Sequence, residues 1–172
     1  MCSQTTRALI ETPTPAVLTV DQLRGETPLP DALIPPATAA RKIPGDETGQ
    51  AYYLHALDIA STTKSAFLTA WVKFEIALRN ELVEARSRLL EIEPTDYFIL
   101  PAQGECDMDL SSMITEWSNA SNPLAAQRVL DQARWRWIDT HEPYFTFQDD
   151  ELAAYAARLL LVERWDRLKE EN

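Results

Sequence analysis

Residues 67–90, FLTAWVKFEIALRNELVEARSRLL, decide the fold. Phe67, Trp71, Phe74, Leu78, Leu82, Ala85 and Leu89 recur at intervals of three or four, which places them on one face of an α-helix. Val72, Ile76 and Val83 lie on the other side. A helix with two apolar stripes is sandwiched between neighbours, or packs on one side and offers the other to a partner. Glu75 with Arg79 and Glu84 with Arg88 stand at i,i+4 in the favourable order for ion pairing. The helical region is expected to begin near Asp46 or Glu47 and to stop by Ile92, ahead of Pro94. A break or bend is expected at Ser61–Thr63, where three hydroxyl residues compete for backbone hydrogen bonds.

Downstream, residues 93–109 form a connection. Asp109 or Ser111 is placed to cap a short helix carrying Leu110, Met113, Ile114 and Trp117. Asn122 followed by Pro123 is a helix start, a cap residue and then proline in the first turn. The helix that follows should run to about Asp139, with Ala126, Leu130, Ala133 and Trp137 on one face. Trp135 falls on a different face, so one of the two tryptophans is expected in the core and the other at least partly outside it. After a linker, THEPYFTFQ, Asp149 and Asp150 are placed to cap and charge the last helix. Its main stripe reads as Leu152, Tyr155, Leu159 and Val162. The alanines at 153, 154, 156 and 157 permit close approach of another helix, and Arg164, Arg167 and Lys169 complement the dipole at its end.

The expected architecture is all-α: a helical bundle, residues 46–172, built around one long two-faced helix. An extended proline-rich arm, residues 1–45, leads into it. Seven of the eleven prolines and three of the four glycines lie in the first 50 residues, so the rest is nearly free of helix breakers. A short helical turn at Thr19–Arg24 is expected within the arm, capped by Thr19 or Asp21.

The formal net charge is -11, which argues against nucleic acid or an anionic membrane surface as partner. Between Leu89 and Gln127 there is no Lys or Arg, while Glu91, Glu93, Asp96, Glu105, Asp107, Asp109 and Glu116 are all present. That block reads as a solvated face, or as a surface for a basic partner. Two cysteines, Cys2 and Cys106, fit a reducing cytoplasm. No signal peptide is expected, and no apolar run is long enough to span a bilayer.

Chemistry is sparse. His55 and His141 have no metal-ligand spacing to a cysteine. Asp107, Asp109 and Ser111 resemble the opening of a calcium loop, but Ser112 stands where glycine is needed and Ser118 where glutamate is needed. Gly45 to Gly49 carries two acids and no lysine, a poor phosphate cradle. No serine sits in a nucleophile elbow. The expectation is a protein without catalysis, cofactor or metal.

The order Phe67, Trp71, Phe74, Leu78, Arg79, Asn80, Leu82 is followed by Arg134, Trp135, Ile138, Asp139 and Phe147. Leu152, Ala154, Tyr155, Leu159, Glu163, Arg164, Trp165 and Leu168 complete it. This pattern, over roughly residues 50–170, resembles an uncharacterised bacterial family encoded in operons for V-type ATPases. That family is related in character to the stalk-capping C subunit of these enzymes, called d in eukaryotes, and usually has a longer N-terminal half. The resemblance implies a helical, non-catalytic subunit or accessory protein. Its partners would be V-type ATPase subunits at the central stalk or membrane rotor, met in the cytoplasm or at the inner membrane through those subunits. Val72, Ile76, Arg79, Asn80, Val83, Trp135, Arg164 and Trp165 are the candidate protein contacts. The alternative function is a stand-alone acidic scaffold or regulatory protein recruiting a basic partner. A third reading is an enzyme whose site is assembled from scattered polar residues, which a deep pocket lined by Asp139, His141 and Glu142 would favour.

Overall fold

A computed structural model describes residues 18–30, 33–34, 42–146 and 148–170. Its elements are α1 (Val20–Leu23), α2 (Pro44–Thr63), α3 (Ala66–Leu90), a 3-10 turn (Pro94–Tyr97), α4 (Ser111–Ser118), α5 (Pro123–His141) and α6 (Asp149–Glu170). The chain is all-α, as the periodicity requires, with no strand among the described residues.

The single turn α1 forms where Thr19 predicts it. The Thr19 hydroxyl accepts the Gln22 N–H at 3.2 Å, and the Gln22 side chain accepts the Thr19 N–H at 2.9 Å, a reciprocal capping box. The described residues up to Ile34 fall in one compact unit and the described residues from 42 onward in another. The rest of the expected proline-rich arm lies largely outside the described residues.

The helical run expected from 46 to 92 is two helices. α2 begins at Pro44, two residues earlier than expected, because proline is accepted in a first turn. It ends at Lys64, which sits in the left-handed region at φ 55°. Ser65 then caps α3 by accepting the Leu68 N–H at 3.0 Å. The break therefore falls just after Ser61–Thr63, and the Thr63 hydroxyl does bond back to the Ile59 carbonyl at 2.8 Å. A second left-handed residue, Glu91, closes α3.

Asp150 is placed by sequence to cap its own helix. Instead its carboxylate reaches the start of α3, accepting the Ser65 hydroxyl and the Phe67 N–H. The unpaired donors at a helix start take a carboxylate from any neighbour close enough to supply one. Asn122 behaves as expected and accepts the Ala125 N–H at 2.8 Å to start α5.

α3 is the spine, packed against α2, α4, α6 and the 3-10 turn. Phe67, Phe74 and Leu78 meet Leu130, Ala133, Trp137 and Ile138 of α5 in the main core. Trp137 is its hub, with ring centroids 5.1 Å from Phe74, 5.4 Å from Trp71 and 5.7 Å from Phe67. Such aromatic pairs add about 0.5–1.5 kcal/mol each beyond area burial. Trp137 is thus the core tryptophan and Trp135 the half-exposed one. Leu89, placed by spacing on the core face, is exposed in the last turn of α3.

Two loop segments are tied to the spine. Asn80 donates to the Ile99 carbonyl at 2.8 Å and accepts the Ile99 N–H at 3.0 Å. A Cβ added to Gly104 would lie 3.3 Å from the Ala77 nitrogen, tighter than side chains usually pack, so glycine eases the close passage of that loop over α3.

Candidate functional site

α6 turns a different face inward from the one its hydrophobic pattern suggests. Ala154 and Leu161 are buried, with Ala153 and Ala157 packed beside them. Leu152, Tyr155, Leu159 and Val162, the expected main stripe, point outward at 67%, 63%, 46% and 44% exposure. The reason is volume. Phe67, Trp71 and Trp137 already fill the space under α6, so the facing positions take small side chains in a close-packed interior.

A groove lies on each side of α6. One, of about 660 Å³, runs between α2 and α6 with α3 as its floor, and is lined by Tyr52, Ile59, Leu68, Trp71, Leu160 and Arg164 among others. The other, of about 570 Å³, lies between α5 and α6 and is walled by Trp135, Trp165, Arg128 and Val162. Guanidinium groups cover both indoles: Arg158 stands 5.4 Å from the Trp135 ring and Arg128 6.0 Å from the Trp165 ring.

Between the grooves runs a partly buried charge network. Arg134 grips Glu75 with two hydrogen bonds, Nε to Oε1 at 2.6 Å and Nη2 to Oε2 at 3.0 Å. Asp131 Oδ1 accepts from Arg134 at 3.2 Å, from Arg164 at 2.9 Å and from Gln127 at 2.9 Å. Burial opposes the Arg134 charge, but Glu75 and Asp131 outweigh it and hold the guanidinium protonated beyond the ordinary arginine range. The expected Glu75–Arg79 pair is absent for the same reason: a shielded bidentate partner outcompetes a solvated i,i+4 neighbour. Beside the network, burial and then the Glu75 charge push the Tyr53 phenol up to about 12. Glu84 and Arg88 do pair as expected.

The candidate contact residues separate into two groups. Val72 and Ile76 are buried, beside α2 and against the loop at Gly104 respectively, and Val83 is half-buried, so they form no free surface. Arg79 pairs with Asp46 and donates to the Tyr97 carbonyl at 3.2 Å, while Asn80 clamps Ile99. These five residues hold the chain together. Trp135 and Trp165, by contrast, line the α5–α6 groove, while Arg164 lines the α2–α6 groove and reaches Asp131; all three keep exposed area.

The acidic block is largely engaged within the chain. Asp96 pairs with Lys42, Glu105 with Lys73 at 2.7 Å and Asp107 with His141 at 2.9 Å. Asp109 accepts the Ser111 N–H at 2.9 Å. His141 is not a loop residue: it ends α5 and stacks on Trp137 at 4.0 Å. Its hydrogen bond holds the Asp107 carboxyl below the usual range. Asp139, His141 and Glu142 do not share a cavity. His141 borders one with Lys73 and Glu105, Glu142 borders another with Leu152 and Tyr155, and Asp139 pairs with Arg158. Among the described residues no three His, Cys, Asp or Glu side chains gather as metal ligands, and no helix is long and apolar enough to cross a membrane.

The outward face of α6 is the feature missed from sequence. Of the four alanines read as a close-approach set, Ala153, Ala154 and Ala157 pack against the core and mark its side, whereas Ala156 is exposed. The profile of a family described as "Protein of unknown function (DUF2764)" matches residues 45–172. No curated protein and no solved structure matches the chain.

Proposed function

The chain belongs to the DUF2764 family, described only as proteins of unknown function, and we propose that it is a non-catalytic helical docking protein. In this reading it serves a V-type ATPase as subunit or accessory protein, in assembly or at the junction of central stalk and membrane rotor. The observation that carries docking is the outward face of α6, where Leu152, Tyr155, Leu159, Leu160 and Val162 are all exposed on one helix. Contiguous apolar surface of this kind marks an interaction site. Trp135 and Trp165 in the adjoining groove add aromatic anchors of the sort that dominate binding energy at interfaces.

The choice of partner rests on the order of residues around Leu78–Asn80, Arg134–Trp135 and Glu163–Trp165. Peripheral membrane location follows through the partner. A stand-alone scaffold acting through the acidic block has less support, since Asp96, Glu105 and Asp107 already answer to Lys42, Lys73 and His141. The test is purification of the tagged chain from its native cells under mild extraction, with V-type ATPase subunits probed by immunoblot. Their retention is expected; their absence overturns the assignment.

A further inference from the structure

The larger of the two grooves beside α6 is built differently from the outer face of that helix. α2 and α6 both pack on α3, and the space left between them is about 660 Å³, in the range of sites that enclose a small molecule. Leu68 and Trp71 form its floor, with Val72 buried beside them. Alanines stand on both walls, Ala56 on α2 and Ala153, Ala156 and Ala157 on α6. Their small side chains leave room for an apolar body.

The polar groups that border this space are unequally spent. Both oxygens of Glu75 are taken by Arg134, whose Nη1 goes to Asp131. The donors keep capacity. Among the described residues the Tyr53 hydroxyl has no hydrogen-bond partner. Burial and then the Glu75 charge push that phenol up to about 12, so it stays a donor at neutral pH. Arg164 gives Nη1 to Asp131 at 2.9 Å, and its Nε and Nη2 have no partner among the described residues. Its side chain is 46% exposed, and Asp131 keeps Arg134 and Gln127 as donors if Arg164 turns. The orphaned acceptor nearby, Asp131 Oδ2, belongs to a residue that borders the α5–α6 groove instead.

Both open donors adjoin the Glu75–Arg134 pair: Tyr53 feels both charges, and Arg164 shares Asp131 with Arg134. That end of the groove is polar. Leu68 stands two turns before Glu75 on α3, about 10 Å away, so the other end is apolar. An apolar cavity whose unspent polar groups are donors is complementary to an acceptor on an apolar body. A carboxylate is the acceptor that a guanidinium fork holds best. We infer that the α2–α6 groove binds a small amphipathic carboxylate, its apolar body over Leu68 and Trp71 and its head on Arg164 and the Tyr53 hydroxyl. The site is independent of the docking reading and of any ATPase partner.

The experiment titrates the full chain by isothermal calorimetry with decanoate, decanol and decyltrimethylammonium, all far below micelle-forming concentrations. The net charge of -11 favours the cation, so overall charge and the site predict opposite orders. One decanoate should bind per chain, at least about tenfold more tightly than the cation. Arg164→Gln should weaken decanoate by about tenfold and leave decanol unchanged, and Tyr53→Phe should weaken decanoate by about threefold or more. Ala156→Trp fills the groove from an exposed position and should abolish binding with an unchanged circular dichroism spectrum. No binding of decanoate, equal or tighter binding of the cation, several decanoates per chain, or undiminished binding by Ala156→Trp overturns the inference. So does an equal loss of decanol and decanoate in Arg164→Gln, since the guanidinium then serves the fold and not the head group.

Discussion

Helices α3 and α6 are similar in length, and both carry apolar residues on more than one side, yet they end in opposite circumstances. α3 is covered on both sides, by α2 over Val72 with the loop at Gly104 over Ile76, and by α5 and α6 over Phe67, Phe74 and Leu78. α6 is covered on its alanine side, and among the described residues nothing covers Leu152, Tyr155, Leu159 and Val162. A second apolar stripe is therefore not by itself a docking surface. It becomes one when the chain supplies no neighbour to cover it. The elbow at Lys64–Ser65 makes that difference for α3, because it folds α2 back along the spine.

Substitutions should separate the two helices cleanly. The largest effect belongs to the hub: Trp137→Ala should cost about 3–5 kcal/mol in urea unfolding, since the cavity lies where three other rings converge. A cost under about 1 kcal/mol would mean that α3 and α5 are not joined through that cluster. Arg134→Ala should cost about 3 kcal/mol, because it leaves Glu75 without its partly buried bidentate partner. The double variant Glu75→Gln/Arg134→Met should recover part of that loss, and failure to do so would show the pair to be unimportant.

The alkaline limb comes next. The Tyr53 phenol titrates near 12 in the folded chain against 10.0 ordinarily. Its contribution is complete below pH 10, where both states are protonated. Above that the unfolded chain ionises first, so stability falls as pH rises through the folded value. The loss should be about 1–2 kcal/mol after allowance for residual solvent. Tyr53→Phe should remove that part of the decline, leaving any due to Tyr52, whose phenol burial also raises. Asp150→Ala should cost about 1 kcal/mol through the lost cap on α3, and hydrogen exchange at Phe67 should quicken more than exchange within the first turn of α6. Smallest of all, Leu159→Gln should change stability by no more than about 0.5 kcal/mol. A large loss there would place α6's outer face in the core and end the contrast.

Much of the fold is legible because its signals are local. Thr19 with Gln22, Asn122 with Pro123, and the three-and-four spacing from Phe67 to Ala85 each depend on neighbours within a turn or two. The readings that change concern choices made across space. Glu75 has Arg79 within reach on its own helix, and only the arrival of α5 offers Arg134. Leucine outweighs alanine in any hydrophobic pattern, so the pattern of α6 turns Leu152 and Leu159 inward; the packed side instead takes Ala153, Ala154 and Ala157, with Leu161. The candidate site divides along the same line. Trp135 and Trp165 line one groove and Arg164 the other, whereas Arg79 and Asn80, candidates for contact by sequence, fasten the 97–99 loop to the spine.

The cap on α3 also sets an order of events. Asp150 follows Ser65 by 85 residues, and α3, α4 and α5 must all be synthesised before that carboxylate exists to receive the Phe67 N–H. As the chain emerges from its N-terminus, the elbow has only the local hydroxyl of Ser65 to hold the start of the spine. The elbow is latched only when α6 docks, so its closure reports that α6 has been made and has found its place.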